Sequence, residues 1–297
     1  MWPGVSEERA RLVVANFNTH GGVDGWGRPF DLAAACRAID ADVIVLQEFF
    51  VPDEPARAPW LDLSGLEQRH LFHTELARAR LLEWSPERIT HPTAWGPRPR
   101  GREPRALRLE GPPPGRRRAL HPGERALPSI PGSWGLAVLS REALVAPRVV
   151  ELPRLRREAA VRKAIICTVE LGGGRLTLAG THLGHLTHGS PLQVAALRRE
   201  LAAEEHPTVL LGDMNCWGPP LVAMLPGWQR AVRARTWPAW RPHSQIDHVL
   251  LRGGVRASSG AALSAAGSDH LPVRVELELG TGILARGTSP SHVERGR

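Results

Sequence analysis

The sequence predicts an α/β (α+β) protein, because buried strands alternate with a helix near the N-terminus and pair as a hairpin farther along. Residues 12–18, LVVANFN, form an apolar run that ends in asparagines and is followed by the turn signal HGG. Asp31 is a suitable N-cap for the helical pattern of LAAACRAI at residues 32–39. A second buried strand, VIVLQ at residues 43–47, ends at Glu48. Strand, helix and strand in this order indicate the α/β class.

The middle of the chain predicts antiparallel pairing, and therefore a mixed sheet. WGLAVLS at residues 134–140 has the pattern of a strand. Residues 160–171 and 174–183 are rich in β-forming residues and flank the glycines at 172–174, which is typical of a hairpin.

The C-terminal half predicts one helix and three strands. Ser190, Pro191 and Gln193 supply an N-cap, a proline at the first helical position and a capping-box partner, so we expect a helix to about Glu204. The strand patterns that follow are TVLLGDMN (208–215), IDHVLL (246–251) and HLPVRVELEL (270–279).

One domain is expected over residues 1–279, with an insertion rich in Pro and Arg at about 96–131 and a disordered tail at 280–297. Between Arg98 and Arg125 there are nine arginines and three glutamates, a surplus of six in a chain whose formal charge is +8. Two interpretations of the insertion stay open: a solvated linker, or a segment that binds a phosphate backbone.

Composition argues against export, membrane insertion and a disulfide framework. The chain has no run of about 18 uncharged apolar residues, and its N-terminus has neither the basic nor the apolar region of a signal peptide. The three cysteines, Cys36, Cys167 and Cys216, are odd in number and lack CxxC spacing. We therefore expect a cytoplasmic protein with reduced thiols, no membrane contact and no obligate protein partner.

Polar residues that suit a core poorly stand at six strand boundaries. In layered α/β folds, ligands bind where strand ends meet connecting loops, so these residues are expected to converge on one cleft. They are Asn18, Glu48, His182, Asp213 with Asn215, Asp247, and Asp269 with His270.

The chemistry of these residues favours metal-assisted hydrolysis at phosphorus. Glu48 can hold a hard divalent cation, Mg²⁺ or alternatively Mn²⁺, through oxygen. Asp213 can orient or deprotonate a water molecule, and Asn215 can hold the phosphate or the nucleophile. Two histidines can bond the phosphoryl oxygens or protonate the leaving oxygen.

The ordered motifs ANFN, VLQE, THL, GDMN, IDH and SDH, spread over residues 12–279, resemble those of the endonuclease/exonuclease/phosphatase superfamily, which has the deoxyribonuclease I-like fold. The resemblance implies a four-layer αββα sandwich, in which two mixed β-sheets pack face to face with helices outside. It also implies a phosphoester substrate.

Carried over residue by residue, the resemblance implies a metal site and a catalytic set. Asn18 and Glu48 would lie at the metal, with Glu48 as its direct ligand, and Asp269 would assist in binding metal or phosphate. For the catalytic set, the implied roles are contact with the scissile phosphate by His182, activation of water by Asp213, positioning of phosphate by Asn215, and a second essential histidine at His270, oriented by Asp247.

Two alternatives concern neighbouring histidines. His182, His185 and His188 recur at a spacing that suggests zinc, but the glycines beside them disfavour a helix and the carboxylates favour a hard cation. His248 follows Asp247 in a strand, where neighbouring side chains point to opposite faces, so we expect His248 to be structural or to face outward.

Three tryptophans near the motifs, Trp134, Trp217 and Trp237, are predicted to contact substrate, since indole rings at a cleft can stack on bases or sugars. Burial in the core is the competing interpretation. Trp134 stands where relatives commonly have an aromatic residue, often tyrosine, whereas Leu136 stands where many have asparagine.

The leading hypothesis is a Mg²⁺-dependent phosphodiesterase or nuclease. The alternatives are a phosphomonoesterase that acts on a small phosphorylated metabolite or inositol phosphate, and a catalytically silent nucleic-acid-binding module. The arginine-rich insertion and the tryptophans favour nucleic acid slightly.

Overall fold

The computed structural model describes residues 10–66, 69–82, 107–109, 129–156, 158, 160–171, 174–186 and 189–279. The predicted tail and most of the predicted insertion lie outside these residues. The last residues of the insertion, from Ser129, belong to a strand, and Leu107–Leu109 form a short strand within it.

The described residues form thirteen strands and three α-helices. The strands are β1 (Ala10–Asn18), β2 (Val43–Pro52), β3 (His70–Leu82), β4 (Leu107–Leu109), β5 (Ser129–Ser140), β6 (Val145–Glu151), β7 (Lys163–Leu171), β8 (Gly174–His182), β9 (Thr208–Asp213), β10 (Gln229–Arg230), β11 (Asp247–Arg252), β12 (Arg256–Ala262) and β13 (Val273–Leu279). The helices are α1 (Leu32–Ile39), α2 (Ser190–Ala202) and α3 (Gly218–Met224). No helix among the described residues is long and apolar enough to cross a bilayer.

The strands form two mixed sheets. The seven-stranded sheet has the order β12-β13-β1-β2-β5-β3-β4, and the six-stranded sheet has the order β10-β11-β9-β8-β7-β6. The pairs β1/β2 and β8/β9 are parallel and the other pairs are antiparallel. The predicted antiparallel pairing of residues 163–171 with 174–182 is confirmed.

Three apolar clusters separate four layers. One packs α1 on the outer face of the seven-stranded sheet, one fills the space between the sheets, and one packs α2 and α3 on the outer face of the six-stranded sheet. The four-layer αββα sandwich is therefore confirmed. Both faces of each central strand carry apolar residues, and the layers on either side of each sheet cover them.

Alternation along β1 explains how polar groups reach the inside of the sandwich. Leu12 and Val14 face the space between the sheets, whereas Ala15 and Phe17 face α1. Period-two alternation then directs residues 16 and 18 toward the other sheet, at the end of the sandwich where its apolar filling stops.

The 13-residue strand β3 was not predicted, because a register shift between Glu75 and Ala77 interrupts its alternation. The predicted N-cap and capping box of the second helix were wrong. Gly189, in a left-handed conformation, is the N-cap of α2, so Ser190 is already helical. The side chain of Gln193 accepts a hydrogen bond from the Gly184 N–H, at 2.8 Å, instead of closing a capping box.

Gly212 tests how closely the central strands approach each other. A Cβ atom at Gly212 would collide with the backbone carbonyl of Thr181 on the parallel neighbour β8. We expect Gly212→Ala to lower the free energy of unfolding by about 1–3 kcal/mol, because the backbone must shift to make room. Urea unfolding measures this change.

Gly65→Ala is the matched control for this substitution. A Cβ atom there would meet only the Arg37 guanidinium, at 3.7 Å, and we expect a free energy of unfolding within about 0.5 kcal/mol of wild type. Equal stability of the two variants would contradict the close strand contact.

Candidate active site

The predicted polar residues converge at one end of the sandwich, because the strand registers bring their positions together. His182 on β8 pairs with Asp213 on β9, and Asp213 pairs with Asp247 on β11. Asn18, at the end of β1, contacts Asp213 from the opposite sheet, with its Nδ2 donating to Oδ2 at 3.0 Å. The side chains of these four residues are buried.

Asp213 is the centre of this arrangement. Its Oδ1 accepts a hydrogen bond from the backbone N–H of Asn215, at 2.8 Å. Its Oδ2 lies 3.6 Å from Nε2 of His182 and 3.9 Å from Nε2 of His270. One carboxylate therefore faces two imidazoles.

Asp247 is the hydrogen-bond partner of His270. Nδ1 of His270 lies 2.9 Å from Oδ2 of Asp247, which leaves Nε2 directed toward Asp213. Asp247 is held in turn by Asn16, whose Nδ2 lies 3.4 Å from Oδ1, and Asn16 accepts from Gln47 Nε2 at 2.8 Å. Sequence reasoning missed Asn16 and Gln47, although both are polar residues at inward positions of apolar strands.

The electrostatic environment separates the two histidines. Burial would lower the pKa of His270, but the carboxylates of Asp247, Asp269 and Asp213 raise it well above its usual value. Burial lowers the pKa of His182 well below its usual value, and the positive charges of Arg162 and His270 act in the same direction. His270 is therefore a cation at neutral pH, whereas His182 is neutral.

The same environment makes Asp213 a weak acid. Burial, and next the negative charge of Asp247, raise the pKa of Asp213 to about 7, while His270 and the hydrogen bonds from Asn215 and Asn18 oppose the rise. A carboxylate with a pKa near neutrality can take and release a proton at the working pH.

Asn215 lies beside His182. Its Nδ2 donates to the carbonyl of Leu183 at 3.0 Å, which sets the direction of the amide, and lies 3.2 Å from Nε2 of His182. Nδ1 of His182 is buried and has no hydrogen-bond partner in the described part of the chain, so the polar contacts of the ring fall on Nε2. Asn215 has φ of 47°, a left-handed conformation that asparagine adopts more readily than most residues.

Glu48 reaches the site through a β-bulge. The pairing of β2 with β5 shifts between Gln47 and Phe49, and Glu48 has φ of 52°. Its Oε1 accepts from Asn18 Nδ2 at 3.3 Å. Thr19 secures the bulge, because its hydroxyl donates to the carbonyls of Gln47 and Glu48 at 3.0 Å. Bulges are frequent beside functional sites, where they redirect a side chain.

Asp269 lies on the opposite side of His270, with a histidine that the sequence reading missed. Its Oδ1 lies 3.6 Å from Nδ1 of His20, and its Oδ2 accepts from Trp237 Nε1 at 3.4 Å. Burial would raise the pKa of Asp269, but His20 and His270 lower it. Burial would lower the pKa of His20, but Asp269 and then Glu48 raise it. The imidazole of His20 thus lies close to both Glu48 and Asp269.

A metal ion could be held by the buried group Asp213, Asp247 and His270, whose ligand atoms all lie within 4.8 Å of one another. It is the only such group of His, Cys, Asp or Glu in the described part of the chain. The predicted metal residues, Asn18, Glu48 and Asp269, are a different set. The amide oxygen of Asn18 accepts a hydrogen bond from the His20 N–H at 3.0 Å, so the amide nitrogen of Asn18 faces the carboxylates of Glu48 and Asp213.

The predicted tryptophans occupy different environments. Trp134 is buried and packs against His182 with the rings tilted by 56° and their centroids 5.5 Å apart, and the Trp237 ring centroid lies 6.5 Å from that of His270. Trp217 is 60% exposed at the start of α3. Leu136 belongs to the core between the sheets.

The three other histidines close to the motifs, His185, His188 and His248, lie as follows. His248 is buried, with Nε2 3.0 Å from the Cys216 carbonyl, on the face opposite Asp247. His185 is exposed, and His188 lies outside the described residues.

Comparison with known proteins identifies relatives over most of the chain. The profile of the "Endonuclease/Exonuclease/phosphatase family" matches residues 15–270, which include all six motifs from ANFN to SDH. No curated protein matches the sequence at a significant level.

Solved structures share the fold at low sequence identity. The chain is similar to an endonuclease/exonuclease/phosphatase from Beutenbergia cavernae, with 23% identity, a TM-score of 0.58, and coverage of 92% of this chain and 72% of the other. It is also similar to a family protein from Leptotrichia buccalis, with 11% identity, a TM-score of 0.60, and coverage of 90% of this chain and 100% of the other. The human Nocturnin catalytic domain, solved with a bound sulfate anion, has 16% identity and a TM-score of 0.54, and the match covers 91% of this chain and 96% of the other.

Proposed function

This chain belongs to the endonuclease/exonuclease/phosphatase family, and from that premise we propose that it is a divalent-metal-dependent phosphodiesterase of the nuclease type. The observation that carries the proposal is the buried chain of contacts from Asp247 through His270 to Asp213. Family membership implies a phosphoester substrate, and this arrangement supplies a base, a cation and a neutral imidazole at one point.

Asp213 acts as the general base for an attacking water molecule. Its pKa of about 7 suits this role, because a carboxylate with the ordinary value would accept a proton poorly. The N–H of Asn215 and the amide of Asn18 bond the two oxygens and so hold the carboxylate in place.

The two histidines act on the phosphoryl group in different ways. His270, a cation fixed by Asp247, stabilises negative charge on the phosphorus oxygens as the transition state forms. His182 is neutral, and its position beside Asn215 sets a second contact to the same group.

The cation, when bound, offsets substrate charge and polarises the scissile phosphate. Glu48 and Asp269 would hold it, because carboxylate oxygens suit Mg²⁺ or Mn²⁺. Asn18 would orient Glu48. We favour this set over Asp213, Asp247 and His270, because His270 already bonds Asp247 through Nδ1, and a protonated imidazole cannot ligate a metal.

Replacement of Glu48 by Gln tests the metal assignment. The amide keeps the size of the side chain but removes its negative charge, so we expect the Mg²⁺ concentration for half-maximal activity to rise at least about tenfold. A Mg²⁺ titration of turnover measures the shift. Glu170→Gln, at an exposed position on β7, is the control and should match wild type. An unchanged Mg²⁺ requirement in Glu48→Gln would remove Glu48 from the metal site.

The proposed activity is tested with purified protein, Mg²⁺ or Mn²⁺, and three substrate classes: a small diester such as bis(p-nitrophenyl) phosphate, phosphomonoesters including inositol phosphates, and oligonucleotides. We expect hydrolysis of diesters that EDTA abolishes. Hydrolysis of monoesters alone would replace the diesterase assignment with the monoesterase alternative. No hydrolysis of any of them would overturn the enzyme assignment.

A further inference from the structure

The segment between Asp213 and Asp247 carries positive charge without any acidic residue. Its 33 residues include four arginines and no aspartate or glutamate. We call residues 230–246 the basic loop. Within it Arg233, Arg235 and Arg241 are exposed, and in the described part of the chain their side chains make no ion pair or hydrogen bond.

This lack of partners distinguishes the basic loop from other arginines of the fold. Arg148, for example, is paired with Glu200 at 3.5 Å and Glu204 at 2.9 Å, and Arg141 with Asp40 and Asp42. Neighbouring charges of one sign raise the local positive potential, which attracts an anion with several charges. Three unpaired arginines offer more charge than one phosphate group can use.

The basic loop is anchored to the strand ends of the proposed active site. Thr236 accepts a hydrogen bond from the Asp247 N–H through its hydroxyl, at 3.3 Å, and from the Leu271 N–H through its carbonyl, at 2.8 Å. The Ala239 N–H donates to the Asp269 carbonyl at 2.7 Å. The arginines therefore belong to a loop whose backbone position is fixed relative to His270.

Trp217 extends this surface. Among the large apolar side chains in the described part of the chain, only that of Leu192 is more exposed. Trp217 follows Asn215 by two residues. Arg230 of the basic loop lies against Gly218, where an added Cβ atom would collide with its guanidinium. Arg230 also donates to Gln245 Oε1 at 3.3 Å. An exposed indole is thus next to the basic loop and close in sequence to the site.

We propose that the basic loop and Trp217 bind a strand of nucleic acid, with backbone phosphates on the arginines and an unpaired base on the indole. This inference rests on the proposed function, since the bound strand presents its scissile phosphate to Asp213. Repeated phosphates match several unpaired guanidinium groups, and base stacking is tolerant of sequence. An anionic membrane would meet the same charges, but Trp217 is the one exposed large apolar residue on this surface.

The first experiment changes charge in two places by the same amount. Variant one is R233Q/R235Q/R241Q, and the control is R198Q/R199Q/R256Q, which removes three exposed arginines from α2 and β12. Register places Arg256 opposite Glu278, at the end of the sandwich away from Asn18. Binding of a fluorescein-labelled 20-nucleotide single strand is measured in EDTA across a salt series.

Variant one should bind the oligonucleotide at least about tenfold more weakly at low salt, and its slope of log K against log salt should be shallower by about 2 than that of wild type. The control triple variant should retain the wild-type affinity and slope. Equal slopes for the two variants would overturn the inference.

Trp217→Ala and Trp217→Phe test the stacking part. The alanine variant should lose about tenfold in affinity for the oligonucleotide and little for inorganic polyphosphate, whereas phenylalanine should preserve most of the affinity. Equal losses for both ligands would overturn the role of Trp217.

Two further readouts separate the possible failures. Competition by phosphatidylserine-containing vesicles that equals competition by unlabelled oligonucleotide would overturn the choice of partner in favour of a membrane. Hydrolysis of the small diester by wild type, combined with equal salt slopes, would leave the proposed function intact and reject the surface. Oligonucleotide binding that depends on the arginines, without hydrolysis of any phosphoester, would support the binding surface and reject the proposed function.

Discussion

Asp213→Asn should lower kcat by about 10²- to 10⁴-fold, the contribution expected of a general base, and leave the fold intact. The amide is almost the same size as the carboxyl and can still accept the hydrogen bond from the Asn215 N–H. It cannot take a proton from water. Steady-state hydrolysis of a small diester at saturating Mg²⁺ measures the loss, and Asp62→Asn, at an exposed carboxylate, is the active control.

The same substitution should change stability in a direction that an ordinary buried contact would not. The carboxyl of Asp213 has a pKa of about 7 in the folded protein, against about 3.9 in an unfolded chain. The contribution of this carboxyl to the free energy of unfolding is therefore complete below about pH 4, and it is lost progressively as the pH rises from about 4 through about 7. Asparagine cannot ionise, so the variant avoids that loss.

We therefore expect Asp213→Asn to raise the free energy of unfolding at pH 8 by about 1–2 kcal/mol in EDTA, and to give a smaller difference at pH 5. The gain is limited because an amide NH₂ cannot accept the bond from Asn18 that Oδ2 accepts. Urea unfolding at the two pH values measures it. A variant less stable than wild type at pH 8 would show that the carboxylate is a favourable part of the fold.

The positions of the proposed active-site residues were predictable because they follow from strand ends. Asn18, His182, Asp213 and Asp247 each stand at the boundary of a strand with an apolar pattern, and strand register then brings them together. A period-two pattern is a local property, so a single sequence carries it. The four-layer architecture needed the family resemblance in addition, because apolar strands alone do not say which sheet they join.

Other features were not predictable, because they depend on departures from alternation or on distant contacts. Strict alternation would direct Glu48 away from Gln47 and toward α1, and only the bulge with φ of 52° brings it to Asn18. His20 gains importance only through Asp269, which lies 249 positions later in the chain. The missed strand β3 shows the same limit, since its register shift disrupts the pattern on which a strand prediction depends.

The basic loop shows a different limit of sequence reasoning. Attention to charge favoured the arginine-rich insertion, where the surplus is largest. The smaller group at residues 233–241 stands out only when ion pairs elsewhere in the fold are known, because an arginine with a carboxylate partner offers little to a ligand. Unpaired charge, not the number of charges, marks a surface for an anion.

His270 and Asp247 should lose activity as a unit. His270→Ala removes the cation that faces Asp213, and we expect kcat to fall by about 10²- to 10⁴-fold. Asp247→Asn keeps the shape but removes the charge that holds the imidazolium, so kcat should fall by at least about tenfold. Exposed His70→Gln is the control and should match wild type.

The double variant distinguishes a coupled pair from two independent contributors. If Asp247 acts only by orienting and charging His270, then Asp247→Asn should cost nothing further once His270 is alanine, and the double variant should equal His270→Ala. Losses that multiply would mean that Asp247 serves the reaction separately, for example as a ligand in the group Asp213, Asp247 and His270 that could hold a metal. Measurement of kcat and of the Mg²⁺ requirement for all four proteins decides between these roles, because a ligand shifts the metal requirement and an orienting carboxylate does not.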